Sequence, residues 1–301
     1  MIRAALQGTT RGSARVQLFL AGVLFGLLAV LTRIAARGGF SPGQVAVVRF
    51  TVGALLSLAL FRFRPGTFRP MNVRLLVTRG MLGGLAVFCY FAALARIPAG
   101  EATLLNNIFP IIATVLSFFT LGERPTVHLA LALVVTSVGV FLVLGGGSLH
   151  LDLGLGELAG IASAVLGAGA VTAIRALRAT DNAPTIFFAF SVGGLVVAAP
   201  FALGAWPGSP ELWAAALAVG LLSFAAQLLM THAYGALTVP EAAVWQQLTP
   251  VASYLWAMPL LDERVSGLGA LGVLLGVAGV AYGSVLGHRR PAAPGPEAGQ
   301  A

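Results

Sequence analysis

The sequence predicts an all-α integral membrane protein of ten transmembrane helices, built as two inverted five-helix repeats with both termini on the cytoplasmic side. Three observations predict it. The first is composition: of the 301 residues, 58% are hydrophobic and only 9% are charged, whereas about a quarter are charged in a soluble globular protein. The second is a duplication. Residues 101–144 overlay residues 241–284 at a constant offset of 140, without a gap and with ten identities in 44 positions. Apolar identities arise easily by chance. Two leading glutamates (Glu101, Glu241), two prolines (Pro110, Pro250) and two Glu-Arg pairs (Glu123-Arg124, Glu263-Arg264) in one register do not, and they mark a true internal repeat. The third is the placement of the arginines, taken up below.

Taken in order, residues 1–15 read as a polar cytoplasmic segment carrying Arg3, Arg11 and Arg15. The apolar run from Val16 to Ala36 is long for the core of a signal peptide. It is also needed to complete the first repeat, so it reads as a retained helix. Further spans fall at 42–62, 75–95, 102–121, 126–144, 157–177, 185–205, 211–235, 242–261 and 266–286. Each is close to the ~20 residues needed to cross ~30 Å of hydrocarbon. The first repeat then covers 16–144 and the second 157–286, joined by a loop at 145–156. Residues 287–301, rich in Pro, Ala and Gly, read as a disordered cytoplasmic tail.

All 18 basic residues are arginine. With the N-terminus inside, thirteen of them fall in cytoplasmic segments, four (Arg33, Arg37, Arg96, Arg264) fall outside and Arg49 lies within a span. That bias favours the N-in, C-in orientation, and it accounts for the net charge of +8 without nucleic acid. Each repeat holds an odd number of spans, so the second copy must insert upside down. LAG at 20–22 recurring at 158–160, and Pro42 matched by Pro184, extend the duplication into the earlier helices. Inverted repeats of this kind carry a central site near the bilayer midplane.

No span carries a carboxylate in its middle. Glu101 and Glu241 open the fourth and ninth spans, where an acid complements the helix dipole. The amides say more. Asn106 and Asn107 occupy the positions of Gln246 and Gln247, and four residues after the first of each pair comes Pro110 or Pro250. A proline inside a helix frees the carbonyl of residue i−4, here that of Asn106 or Gln246. In a membrane such groups are met by neighbouring helices or line a watery cavity. Helix-to-helix amide bonding is one reading and a solute-facing role the other. Ser253 shares a face with Gln246 and Pro250, while Trp245, Tyr254 and Trp256 make the second copy the more aromatic. Arg49, Tyr90 and His232 are further embedded polar candidates. An intramembrane arginine is expensive and is either paired or functional.

The stretch PAGEATLLNNIFPIIATVLSFFTLGERPT, repeated as VPEAAVWQQLTPVASYLWAMPLLDERV, with Arg49 in QVAVVRFTVGALL, resembles the EamA-type family of the drug/metabolite transporter superfamily. The resemblance covers about residues 16–286 and identifies a family rather than a solute. It implies a ten-helix carrier of the bacterial inner membrane with a cavity between its halves. Members move amino acids, other metabolites, vitamins or cationic drugs. Phe25 stands where the family usually has a tryptophan, a departure from the family pattern.

The expected function is therefore export of a small polar metabolite, an amino acid or derivative foremost, by alternating access. The expected lining is Asn106, Asn107, Pro110, Trp245, Gln246, Gln247, Pro250, Ser253, Tyr254, Tyr90, Arg49 and His232. A proton-coupled multidrug exporter is the alternative, disfavoured because the first helix lacks the glutamate that small multidrug antiporters of the superfamily use there. A membrane scaffold or sensor is a third. An enzyme would need a nucleophile–base pair or a metal cluster, and the chain offers one cysteine (Cys89) and four scattered histidines. No cofactor, metal or nucleic acid is expected; the partners are the solute and the bilayer, with the chain a monomer or homodimer.

Overall fold

A computed structural model of the chain describes residues 10–94, 96–97, 99–144, 154–262 and 266–287. Every regular element among them is helical. In chain order these are α1 (Arg11–Arg37), α2 (Pro42–Phe63), α3 (Val73–Leu94), α4 (Ala99–Asn106), α5 (Phe109–Leu121), α6 (Val127–Val143), α7 (Leu155–Leu177), α8 (Ala183–Ala198), a 3-10 turn (Ala199–Phe201), α9 (Pro210–Ala233), α10 (Val239–Gln246), α11 (Leu248–Leu261) and α12 (Gly267–Leu286). Glu263 and Arg264, the second copy of the Glu-Arg pair, lie outside the described residues, as do residues 145–153 and 288–301 and the side chain of Glu101.

Local chemistry sets the helix ends. The Thr10 hydroxyl accepts from the Ser13 N–H and starts α1 at Arg11, earlier than the expected Val16, so part of the N-terminal polar segment is helical. Ser41 with Gln44, and Thr238 with Glu241, form reciprocal capping boxes, each with a proline in the first turn. Glu241 thus has the capping role expected of it. α5 and α11 both end on a left-handed residue, Gly122 at φ 68° and Asp262 at φ 55°, and these positions are equivalent under the 140-residue offset. The expected span 185–205 is shorter, because Pro200 turns the end of α8 into a 3-10 turn.

Eight segments are long and apolar enough to cross a bilayer; α6 is apolar but has 17 residues. The expected fourth and ninth spans are each broken, into α4 and α5 and into α10 (8 residues) and α11 (14 residues). The count of ten therefore depends on taking α6 and the α10–α11 pair as spans. Large apolar side chains stand exposed along the outer faces, among them Leu55, Val134, Leu221, Leu274 and Val277, as lipid contact requires.

Packing follows the duplication. α1 packs on α9 as α3 packs on α7, and α3 on α8 as α9 on α2, each pair becoming the other when the halves are exchanged. α6 and α12 are equivalent helices and pack on each other. A Cβ on Gly139 would meet the Gly276 backbone, one on Gly272 would meet Val143 and one on Gly279 would meet Thr136. As one number rises the other falls, so the two run antiparallel. α2 and α8 are equivalent too and also antiparallel, with Gly43 against Phe201, Phe50 against Gly194 and Gly53 against Ser191. One buried cluster gathers the α1 start (Ala14, Leu18, Ala21), the α7 end (Ile174, Leu177), Tyr234, Leu237, Val239, Ala242 and Ala113. It seals one end of the bundle.

Candidate functional site at the broken helices

The breaks lie at the duplicated amides. α4 stops at Asn106 and α5 resumes at Phe109 with Pro110 in its first turn; α10 stops at Gln246 and α11 starts at Leu248, two residues before Pro250. Both prolines are buried, and the Pro110 carbonyl accepts from the Thr114 hydroxyl at 2.8 Å.

At the first break Asn106 Oδ1 accepts from Ser163 Oγ of α7 at 2.9 Å. Asn107 Nδ2 donates to the Thr103 carbonyl at 3.0 Å, and the Thr103 hydroxyl is 2.9 Å from that of Tyr90. Tyr90, Thr103 and Asn107 therefore form one polar strip between α3 and α4. At the second break Gln246 Nε2 donates to the hydroxyl of fully buried Tyr234. Trp245 is half-buried and packs between two apolar clusters.

Two expected lining residues point elsewhere. Gln247, 1% exposed, donates to Ser137 Oγ of α6 at 3.0 Å and joins the break to α6; one residue beyond Gln246 is a rotation of about 100°, enough to reach a different neighbour. The Tyr254 hydroxyl accepts from the Ser266 N–H at 3.1 Å, at the junction with α12, about 12 Å along the helix from Gln246. Ser253 lies against α1, where a Cβ on Gly26 would stand 2.6 Å from its backbone nitrogen. His232 is half-buried in the last turn of α9.

Arg49 is interior, 7% exposed, with Nε donating to Ser223 Oγ of α9 at 2.8 Å and its guanidinium 5.6 Å from the Phe50 ring centre and 5.9 Å from that of Phe190. Sequence reasoning missed Arg79 by counting it with the cytoplasmic arginines. It lies within α3, 3% exposed, 4.1 Å from the Phe190 ring centre, with Nη2 3.4 Å from Gln227 Oε1. The signal was available: Arg79 follows Leu75, Leu76 and Val77 inside an apolar run. The inside count becomes twelve against four, with the same sign. Gln227 and Tyr234, seven residues apart at the end of α9, share one face of that helix, so Arg79 and the second break lie along the same side of α9 and belong to one polar core.

Glu123 also proves more than a motif end. Its Oε1 accepts from Arg175 Nε and its Oε2 from the Val239 N–H, both at 2.7 Å. Arg175 Nη1 donates to the Tyr234 carbonyl at 3.0 Å. One carboxylate of the first half thus holds α7 and the start of α10 in the second. Beyond α7, burial first and the charge of Arg175 second hold Arg178 below the usual arginine range. Among the described residues no group of three or more His, Cys, Asp or Glu could hold a metal ion. The core is rich in donors from guanidinium, amide and hydroxyl groups, a chemistry suited to holding a polar solute.

The comparisons agree with this construction. The chain is 29% identical over 265 residues to "Pseudopaline exporter CntI" of Pseudomonas aeruginosa (strain UCBPP-PA14), covering 87% of this chain and 93% of that protein. It is 26% identical over 272 residues to an "Uncharacterized transporter" of Helicobacter pylori (strain J99), covering 86% and 90%. A solved crystal structure superposes with a TM-score of 0.81 at 25% identity, over 93% of this chain and 99% of the other. The EamA-like transporter family matches twice, over residues 13–145 and 154–284. Matched once by each of the two halves that pack about a shared polar core, this chain belongs to the EamA-like transporter family and is a multi-pass membrane transporter.

Proposed function

We propose that the protein is a secondary transporter of the bacterial inner membrane that exports a small polar metabolite, an amino acid or amino-acid derivative foremost. It works by alternating access between two inverted five-helix repeats. One observation carries the reading. α5 packs on α10, yet α4 and α11, the pair that exchanging the halves would produce, make no comparable contact among the described residues. Equivalent half-helices are thus closed at one end of the bundle and apart at the other. Exchanging the conformations of the halves would close the open end and open the closed one, which is alternating access about a fixed centre.

The antiparallel pairing of equivalent helices, α6 with α12 and α2 with α8, supports inverted insertion. With ten spans and the N-terminus inside, the sealed end with Glu123 and Val239 is cytoplasmic and the conformation is outward-open. Asn106, Tyr90, Gln246, Trp245 and Ser253 then border the solute path, with Arg49 behind them. Export agrees with the similarity to a protein named an exporter.

Efflux from proteoliposomes loaded with a labelled amino-acid mixture tests this reading. Protein-dependent, saturable loss of one or more components is expected. Loss no faster than from empty liposomes refutes transport of this class. Impermeant tagging of cysteines introduced before Val73 and before Val239 tests the insertion: both should label from the cytoplasmic side, and labelling from opposite sides removes the inverted arrangement.

A further inference from the structure

Arg79 and Arg49 place two guanidinium groups inside the bundle, 4.1 and 5.9 Å from the centre of the same Phe190 ring. A buried cation is stable when it is paired and its donors are met. Arg49 spends its Nε on Ser223. Arg79 spends almost nothing. Its Nε and Nη1 are buried without a hydrogen-bond partner, and its Nη2 makes only the long contact with Gln227. At least three of the five N–H donors of the side chain are therefore unmet. Among the described residues no carboxylate pairs with either arginine; the Glu123 carboxylate is taken by Arg175. The aromatic contact offsets only part of the desolvation cost, and two like charges about one ring add repulsion.

The cluster is nonetheless built. Gly83, one turn on from Arg79, makes room for the guanidinium, since a Cβ there would stand 2.0 Å from Nη1. Gln227 and Ser223, four residues apart on α9, put an amide and a hydroxyl on one face beside the two cations. Tyr234, seven residues on from Gln227 along the same face of α9, receives the Gln246 amide at the second break. The missing component is an anion.

We propose that Arg79, with Arg49 beside it, is an anion subsite that takes a carboxylate group of the transported solute. This rests on the transporter reading above and narrows it to carboxylate-bearing solutes. In the outward-open conformation the subsite is closed, with Arg79 3% exposed. It becomes reachable as the cytoplasmic seal opens, and a solute loading from that side supplies the negative charge. Arg49 sits nearer the other end of the bundle, in the second turn of α2, and receives the same group on its way out.

The test uses the full-length protein in nanodiscs of zwitterionic lipid, followed by thermal unfolding with matched probes: glutamate against glutamine, and succinate against succinamide. Bound ligand stabilises in proportion to its excess over Kd. Carboxylates should raise Tm of the wild type and their amides should not. Arg79→Gln should weaken the carboxylate response at least tenfold in apparent Kd while unfolding, without solute, at the same or a higher temperature. Gly83→Ala, which crowds the guanidinium but keeps its charge, should weaken the response with no loss of arginine. Equal responses to acids and amides, no response to either acid, or an undiminished response in Arg79→Gln overturns the subsite. So does an Arg79→Gln protein that is less stable without solute and binds carboxylates normally, the result for a structural arginine. Flux of only uncharged or cationic solutes would overturn the subsite and leave transport standing; carboxylate binding without flux would do the reverse.

Discussion

Glu123 is the residue whose removal should open the sealed end. Its carboxylate belongs to the first half of the chain, and both partners, Arg175 Nε and the Val239 N–H, belong to the second, each at 2.7 Å. The interaction therefore exists only while that end is closed. A hydrogen bond to a charged group contributes about 1.5–3 kcal/mol. The side chains of Arg175 and Glu123 are 28% and 11% exposed, so solvent screening brings each contact below that range, to about 1 kcal/mol. Together the two contacts favour the closed end by about 2 kcal/mol. At about 1.4 kcal/mol per factor of ten, Glu123→Ala should raise the inward-open population roughly 30-fold. Glu123→Gln keeps an acceptor for the Val239 N–H and should raise it only about fivefold, on the same scale. The reporter is a cysteine at Ala113, 1% exposed within the sealing cluster, in a Cys89→Ser background. Its rate of modification by an impermeant maleimide from the cytoplasmic side follows the open population. Unchanged rates in both variants, with Tm retained, would refute the role of Glu123 as a latch between the halves.

Two further outcomes follow from the packing. Gln246→Ala strips the hydroxyl of fully buried Tyr234 of its amide partner and should cost about 1–3 kcal/mol of stability. Adding Tyr234→Phe should restore most of the Tm while any solute response lost with the amide stays lost; full recovery of both would remove Gln246 from the solute path. Gly139→Ala sets a Cβ 2.6 Å from the Gly276 nitrogen and 2.7 Å from the Gly272 carbonyl oxygen. Backbone cannot swing aside as a side chain can, so α6 and α12 must separate at a cost of about 1–3 kcal/mol. A Tm equal to the wild type would show that this contact is not close in solution.

What the sequence determines by itself is whatever is encoded locally or by repetition. Apolar run lengths mark the spans, and the 140-residue offset marks the two copies. Prolines at 110 and 250, each following an amide, mark the breaks in two helices. Capping by Glu241 is legible because donor and acceptor are three residues apart. Which polar groups meet is settled by folding alone. Asn106 finds Ser163, 57 residues away, and Arg49 finds Ser223, 174 away; no spacing along the chain encodes such pairs. Gln246 and Gln247 look alike in the sequence, yet one helical step sends the first to Tyr234 and the second to Ser137. Arg79 reads as one boundary arginine among many until the helices around it remove it from water. Its free donors exist because burial is a property of neighbours that the chain brings together only by folding.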